Sequence, residues 1–221
     1  LIRMMMVTLI VICSIMVGPI LANAQNVPDV ELVLSDEVYH YGDKLEYTII
    51  VSEITGWDAS INITDPMGKT SHLVDMPISE EETLVIAPFG FDKIVWNEGK
   101  YSLELIYSDA TFETEFTITD DGSIGIPYWI NDLSKLWLTG QIPDTEFVKG
   151  IQYLLEHEIL EKPDTTTELF IPGWFKFTTA WWSTGEISDT TYGYAIQFLI
   201  DEKFMTIPFD QESSTSIERS L

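Results

Sequence analysis

Cysteine is all but missing. The single Cys13 lies in an N-terminal apolar stretch, so the chain beyond that stretch has no disulfides, no thiolate metal site and no cysteine nucleophile. Basic residues are scarce too, with 11 Lys and Arg against 36 Asp and Glu and a net charge of −25. A surface of that sign repels nucleic acid and anionic lipid headgroups, which excludes both as partners. It attracts cations, and solubility in a salty exterior is its plain reading. The three histidines, His40, His72 and His157, show no ligand spacing; His157-Glu158 opens like a zinc-protease helix, but no second His follows at i+4. There is no Gly-x-Ser-x-Gly and no phosphate loop. Lacking an acid, a base and a nucleophile in any recognisable pattern, the chain reads as a non-enzyme. A hydrolase assembled from distant residues is the remaining catalytic alternative.

Residues 1–24 carry one charge, Arg3, then an apolar run from Met4 to Val17, the helix breakers Gly18-Pro19, and Ala22-Asn23-Ala24 before Gln25. That is the layout of a secretory signal peptide, with the mature chain expected to start at Gln25 in an extracytoplasmic setting. The competing reading is an uncleaved N-terminal anchor, since Met4 to Leu21 is just long enough to span a bilayer. Ile12 precedes Cys13 where a lipoprotein signal needs a small residue. Loss of Arg3 with the signal moves the net charge from −25 to −26.

From residue 25 to 120 short strands alternate with turn signals. They are expected near Glu31–Leu34, Lys44–Ser52, Ser60–Thr64, Ser71–Met76, Thr83–Ala87, Tyr101–Ser108 and Phe112–Thr119, with Gly42-Asp43, Asp65-Pro66-Met67-Gly68 and Asn97-Glu98-Gly99 as turns. Phe112, Thr114, Phe116 and Ile118 alternate as one face of a strand should. Seven strands at this spacing predict an immunoglobulin-like β-sandwich, and Gly99-Lys100-Tyr101 resembles the tyrosine corner that opens the penultimate strand of such domains. The polar run 121–125 reads as a flexible linker.

Residues 126–160 and 171–205 are one unit written twice at an offset of 45, with 12 of 35 positions identical. The shared residues include Trp129/Trp174, Trp137/Trp182, Gly140/Gly185, Asp144/Asp189, Ile151/Ile196 and Gln152/Gln197. Trp129, Leu133, Leu136 and Trp137 form an i, i+4, i+7, i+8 stripe. Pro127 suits a first helical turn, and Gly140 suits the residue past a helix end. Asp144 and Asp189 stand where N-caps are wanted before a second helix, with Phe147, Ile151 and Leu154 or Tyr192, Ile196 and Leu199 on its apolar face. Each unit is therefore expected to be a helix, a tight turn and a helix: repeat 1 over 126–160, a polar linker over 161–170, and repeat 2 over 171–209. One hairpin cannot bury both its faces, so the copies should pack on each other. The Ser- and Glu-rich tail, 210–221, reads as disordered.

These units resemble a repeat found at the C-terminal ends of exported proteins of ammonia-oxidising archaea, running Ile-Pro-x-Trp-Ile, Trp-Trp-x-x-Gly-x-Ile-x-Asp and Gly-Ile-Gln-Tyr-Leu before a terminal Gly-Ile-Ile. Here it stands as Ile126-Pro127-Tyr128-Trp129-Ile130, then Trp137 to Asp144, then Gly150-Ile151-Gln152-Tyr153-Leu154, and again as Trp181-Trp182, Gly185, Asp189 and Ile196-Gln197-Phe198-Leu199. The departures are Leu136 for one Trp, Ala195 for Gly, and Glu158 and Lys203 for the terminal Gly, which puts the end of each second helix in question. The region before the repeats also looks like the immunoglobulin-like domains that accompany them. The resemblance implies an archaeal, envelope-associated protein and transfers no catalytic activity.

Trp129, Trp137, Trp174 and Trp182 recur at core spacing and are expected to be buried rather than stacked on a ligand. Trp181, beside Trp182, must point elsewhere and is the leading candidate for an interface anchor, with Trp57 in a loop as a second. Glu80-Glu81-Glu82 and Asp120-Asp121 lack the alternating ligands of a calcium loop and read as solvated turns. Asn62-Ile63-Thr64 is the only N-glycosylation sequon, placed in an expected strand. No cofactor is implied. The expected function is assembly or docking through the duplicated Trp-rich module onto envelope or membrane-complex proteins, one version being an accessory subunit of a membrane complex. The alternative is a secreted glycan- or cation-binding module.

Overall fold

The computed structural model describes residues 27–164 and 166–209, so the expected signal segment, its cleavage at Gln25 and the expected tail disorder lie outside the described residues. Two β-sheets come first and four helices follow. The strands are β1 (Val30–Leu34), β2 (Val38–His40), β3 (Lys44–Val51), β4 (Asp58–Thr64), β5 (Thr70–Pro77), β6 (Glu82–Gly90), β7 (Gly99–Tyr107) and β8 (Ala110–Thr119); the helices are α1 (Tyr128–Leu138), α2 (Asp144–Glu156), α3 (Phe175–Ser183) and α4 (Asp189–Asp201). All seven expected strands are present. The eighth, β2, escaped notice because three residues are too few to show alternation.

One sheet has the order β1-β3-β6 and the other β2-β8-β7-β4-β5. Neighbours are antiparallel except β2, which runs parallel to β8 through Val38–His40 opposite Thr117–Thr119. The chain therefore changes sheet between β1 and β2. Period-two patterning puts Tyr47, Ile49 and Val51 of β3, Ile61 of β4, Leu103 and Leu105 of β7, and Phe116 and Ile118 of β8 into one core shared by the two sheets. Each such side chain contributes about 1.5–3 kcal/mol on leaving water.

At one end of that core the Tyr101 ring stacks on Phe116 at 5.2 Å, and its phenol donates to the Asn97 carbonyl at 3.0 Å. Tyr101 is buried, so the bond pins the turn before β7 without competition from water. Tyr101→Phe keeps the ring and removes the bond; we expect a loss of about 1 kcal/mol in urea unfolding, and an unchanged midpoint would show that the phenol pins nothing.

The helices bury a second core that draws on both copies, including Ile130, Trp137, Phe147, Ile151, Leu154, Phe175, Trp182, Tyr192, Ile196 and Leu199. The identical glutamines brace the copies crosswise. Gln152 on α2 donates to the Pro208 carbonyl beyond α4, and Gln197 on α4 accepts from the Glu161 amide beyond α2, at 2.6 and 2.7 Å. Two antiparallel bridges, Thr166 with Phe209 and Phe170 with Thr206, tie the same exit segments together.

The ends of the first helices follow expectation. Gly140 and Gly185 take left-handed φ values of +73° and +80° just past α1 and α3. The second helices end with the same backbone turn although glycine is gone, Glu158 at φ +58° and Lys203 at φ +59°. An L side chain there carries a cost of roughly 1–2 kcal/mol. Lys203→Gly is accordingly expected to raise stability by about 1 kcal/mol in chemical denaturation, and a destabilised variant would mean that the lysine makes a contact worth more than the strain.

The run 121–125 is not the flexible linker its polarity suggests. Ile124 is buried, its amide accepted by the Thr190 hydroxyl at 3.0 Å, and the Tyr194 phenol donates to the Gly122 carbonyl at 2.9 Å. A Cβ on Gly125 would stand 1.9 Å from the Phe91 carbonyl, so only glycine lets the chain pass there. Polar composition marked a surface crossing, but α4 closes over it. The sheets and the helices are thus joined by backbone contact.

Candidate functional site

The helical half is organised by two indole–carboxylate bonds. Trp137 Nε1 donates to Asp144 at 2.7 Å, and Trp182 Nε1 donates to Asp189 at 2.6 Å. The expected N-cap role of the two aspartates is therefore corrected: each is the first helical residue, with Pro143 and Ser188 as the caps, and only Ser188 caps through its side chain, accepting from the Thr191 amide. A buried indole N–H needs an acceptor, and the helix start seven residues on supplies it. Each indole then lies flat on the next copy-equivalent ring, Trp137 on Phe147 at 4.0 Å and Trp182 on Tyr192 at 4.3 Å.

The carboxylates differ in one respect. The second oxygen of Asp189 accepts the Ile126 amide at 2.9 Å, so this group ties α4 to the entrance of α1. Burial raises the Asp189 pKa, the Asp92 charge adds to the rise, and the two hydrogen bonds and Lys44 oppose it. Burial also raises Asp92, against the pull of the Val95 and Ile94 amides.

Burial of the tryptophans divides the expected anchors. Trp137 and Trp182 are in the core, but Trp129 and Trp174 are 36% and 53% exposed, contrary to expectation. The buried row of α1 is Ile130, Ser134 and Trp137, and that of α3 is Phe175, Thr179 and Trp182. Because a hydroxyl occupies the middle of each row, apolar counting settled one residue out of phase. Ser134 and Thr179 are satisfied by donating to the Ile130 and Phe175 carbonyls at 2.8 and 3.1 Å.

Trp181 is 51% exposed, and Trp57, in the loop between β3 and β4, is 68% exposed. The company Trp181 keeps does not show in the apolar spacing. From the N-cap of α3 onward Trp174, Phe177 and Trp181 fall at i, i+3 and i+7, all more than half exposed, with no charged group in the row. The only charged residue of that helix, Lys176, reaches instead over the Trp137 ring at 4.8 Å. In copy 1 the equivalents are Trp129, edge-on to Tyr153 at 5.0 Å, Asp132 and the less exposed Leu136. A helical plot of exposed rather than apolar positions would have shown the row.

Such a row does no proton chemistry; it offers rings. At about 25 cal/mol per Å², covering the exposed half of three aromatic side chains, roughly 300 Å², gives roughly 7 kcal/mol. Association itself costs about 4–15 kcal/mol, so the row suits the centre of a larger interface rather than the whole of one.

The remaining sequence candidates stay apart. His40 has Nδ1 3.4 Å from Asp43 and Nε2 3.7 Å from Asp121, so both nitrogens face carboxylates. His72 faces Asp75 at 3.5 Å on β5, and the His157 ring packs at a tilt of 47° on Tyr153. An open slot of ≈ 860 Å³ along the seam between β1 and β8 has Leu32 and Phe116 at its floor and Glu31, Glu37, Glu113 and Glu115 on its rim, with no histidine. Asn62 lies in β4 between β5 and β7, its amide donated to Glu104 at 3.0 Å, a bond a glycan would have to break. Asp120 and Asp121 accept the Gly122 and Ser123 amides of their own turn. Among the described residues no group of three or more His, Cys, Asp or Glu could hold a metal ion, and no helix is long and apolar enough to cross a membrane.

No protein-family model matches the chain, and no curated protein matches it in sequence.

The two carboxylates give a paired test. Asp144→Asn keeps the one acceptor its indole uses, whereas Asp189→Asn leaves either Trp182 or Ile126 unmatched; the expected losses are below about 0.5 kcal/mol and about 1–2 kcal/mol respectively. Equal losses would contradict the special place of Asp189. The pH dependence separates them further. A carboxyl whose folded pKa is raised disfavours the folded state while ionised, so its penalty is relieved as pH falls through that pKa. Wild-type protein should therefore gain stability relative to Asp189→Asn between neutral pH and the ordinary carboxylate range, and parallel profiles would refute the assignment.

Proposed function

We propose that the chain is a non-enzymatic extracytoplasmic envelope protein, an immunoglobulin-like β-sandwich followed by two helix-turn-helix repeats, which docks onto an envelope or membrane-complex protein through the helical module. The observation that carries this reading is the uncharged aromatic row of Trp174, Phe177 and Trp181, open to solvent on a chain with 36 acidic against 11 basic residues. Aromatic residues in a water-exposed row are what the centre of a protein interface requires. A position as accessory subunit of a membrane complex is one version of this role.

The immunoglobulin-like reading is supported by strand order. Taking β1, β3 and β6 as A, B and E, and β4, β5, β7 and β8 as C, C′, F and G, the sheets read A-B-E and A′-G-F-C-C′, with β2 as the part of A that crosses to pair with G. The Tyr101 bond to Asn97 at the start of F matches the tyrosine corner of such domains and supports the reading further. The domain lacks the inter-sheet disulfide, since no cysteine is present beyond Cys13. The repeat reading is supported by the equivalence of the indole–carboxylate bonds and of the crossed glutamines. The apolar N-terminal segment supports export.

The same row favours a second reading. An exposed aromatic platform also suits a neutral surface glycan, whose C–H faces stack on rings without meeting the acidic surface. The cation version of that alternative has no comparable support.

Cross-linking mass spectrometry on native envelopes tests both. Wild-type protein should give reproducible cross-links from residues 126–205 to one envelope protein, and Phe177→Ser with Trp181→Ala should lose at least nine-tenths of them at unchanged thermal stability. Retention by protein-free envelope polysaccharide, lost in the same variant, would transfer the row to a glycan. Undiminished cross-links in the variant, or a turnover abolished by one polar substitution, would overturn the proposal.

A further inference from the structure

The two sheets present opposite kinds of outer face. On the five-stranded sheet polar side chains satisfy one another across strands: Asn62 with Glu104, Lys100 with Glu115, Thr64 with Thr70 and Ser102 with Glu113. That is an ordinary solvent face. On the three-stranded sheet the register sets Val33, Thr48 and Leu84 in one row, Glu46 beside Ile86 in the next, and Glu31, Ile50 and Glu82 in the third. Val33, Leu84 and Ile86 are 42%, 59% and 52% exposed. Glu31, Glu46 and Glu82 make no ion pair among the described residues.

The edge of this sheet is open as well. The Val51 amide donates to the Glu81 carbonyl and the Ser35 amide to the Glu46 carbonyl. In an antiparallel ladder these bonds fix the alternation: Thr83 and Val85 pair with β3, while the N–H and C=O groups of Glu82, Leu84 and Ile86 point away from it. Among the described residues no strand lies on that side of β6. Unpaired backbone, an apolar outer face and unneutralised glutamates coincide on one strand.

We propose that β6 is a docking edge that takes an extended, lysine- or arginine-bearing segment of another protein as a fourth strand of the three-stranded sheet. Main-chain bonds to Glu82, Leu84 and Ile86 supply the pairing, alternate side chains of the segment cover Leu84 and Ile86, and its cations meet Glu80, Glu82 and Glu46. Charge decides the occupant. A second copy would bring its own Glu80-Glu81-Glu82 and a further strongly negative body to the same edge, whereas a basic strand neutralises charges that have no partner here. This inference concerns the sheets and stands independently of the aromatic row on α3.

The test uses the purified protein with three synthetic peptides: alternating Lys-Val, alternating Glu-Val, and the Lys-Val sequence broken by a central proline. The Lys-Val peptide should slow amide hydrogen exchange at Leu84 and Ile86 at least tenfold, less so at high salt, and the other two should not. Leu84→Lys, at an exposed position, should abolish that protection, and Glu82→Lys should weaken it, both with thermal midpoints kept. Protection that is absent, equal for the acidic peptide, or centred elsewhere would overturn the proposal. So would dimers in sedimentation equilibrium that Leu84→Lys dissolves, because a second copy would then be the occupant.

Discussion

The Asp189 carboxylate is the constraint on which the arrangement of the helical half depends. One oxygen holds the Trp182 indole and the other the Ile126 amide, so a single side chain fixes the aromatic core of copy 2 and the point where the chain enters copy 1. Around it Gly42, Phe91, Ile124 and Gly125 meet at backbone distance, leaving no space for a Cβ at Gly125. The ring of Phe91 sits in the sheet core, between Tyr39 and Phe116, while its carbonyl accepts from Gly42. Displacing the joint therefore disturbs both cores at once, and orientation of the helices relative to the sheets follows from packing rather than from a tether.

Much of this was legible in the sequence, and the failures have specific causes. Alternation located seven strands because one face of each is buried, and Gly-x-Tyr singled out Tyr101, whose phenol bonds back to the Asn97 carbonyl of the preceding turn. The duplication located the four helices. What it concealed was phase. Ser134 and Thr179 occupy buried positions, each satisfied by the carbonyl one turn earlier, and a count of apolar residues skips such positions. The stripe was then drawn through Trp129 and Leu136, which are exposed. The aspartates were misassigned for a related reason: Asp before a helix is usually a cap, and nothing local says that an indole seven residues back has the stronger need. Polar composition misjudged residues 121–125 because burial there is conferred by α4, distant in sequence.

Where the copies differ is as informative as where they agree. Val148 in α2 becomes Gly193 in α4, and a Cβ at Gly193 would stand 2.7 Å from Ile124, so copy 2 gave up a core side chain to admit the connecting chain. Asp132 becomes Phe177 and Leu136 becomes Trp181, both on the exposed side of the helix. Shared residues keep the fold of each unit; diverged residues give copy 2 the joint on α4 and the aromatic row on α3. A duplication whose second copy both locks onto the sheets and presents rings to solvent holds that row in a fixed orientation relative to the β6 edge.

The acidic surface makes these exposed apolar features tolerable. Rings or aliphatic side chains open to water invite self-association, and the general defence is net charge away from zero. A charge of −25 over the whole chain provides it at low ionic strength. At 1 M salt the Debye length shrinks to about 3 Å, and repulsion between whole molecules fades. Discrimination then rests on carboxylates close enough to touch a docked chain. Glu82 is on β6, Glu80 lies just before it and Glu46 sits opposite Ile86 on the neighbouring β3, whereas the aromatic row contains no charge at all. On these proposals the edge selects its partner by sign, an attraction that salt weakens, while the aromatic row selects by shape, which salt leaves intact, so salt dependence distinguishes the two surfaces.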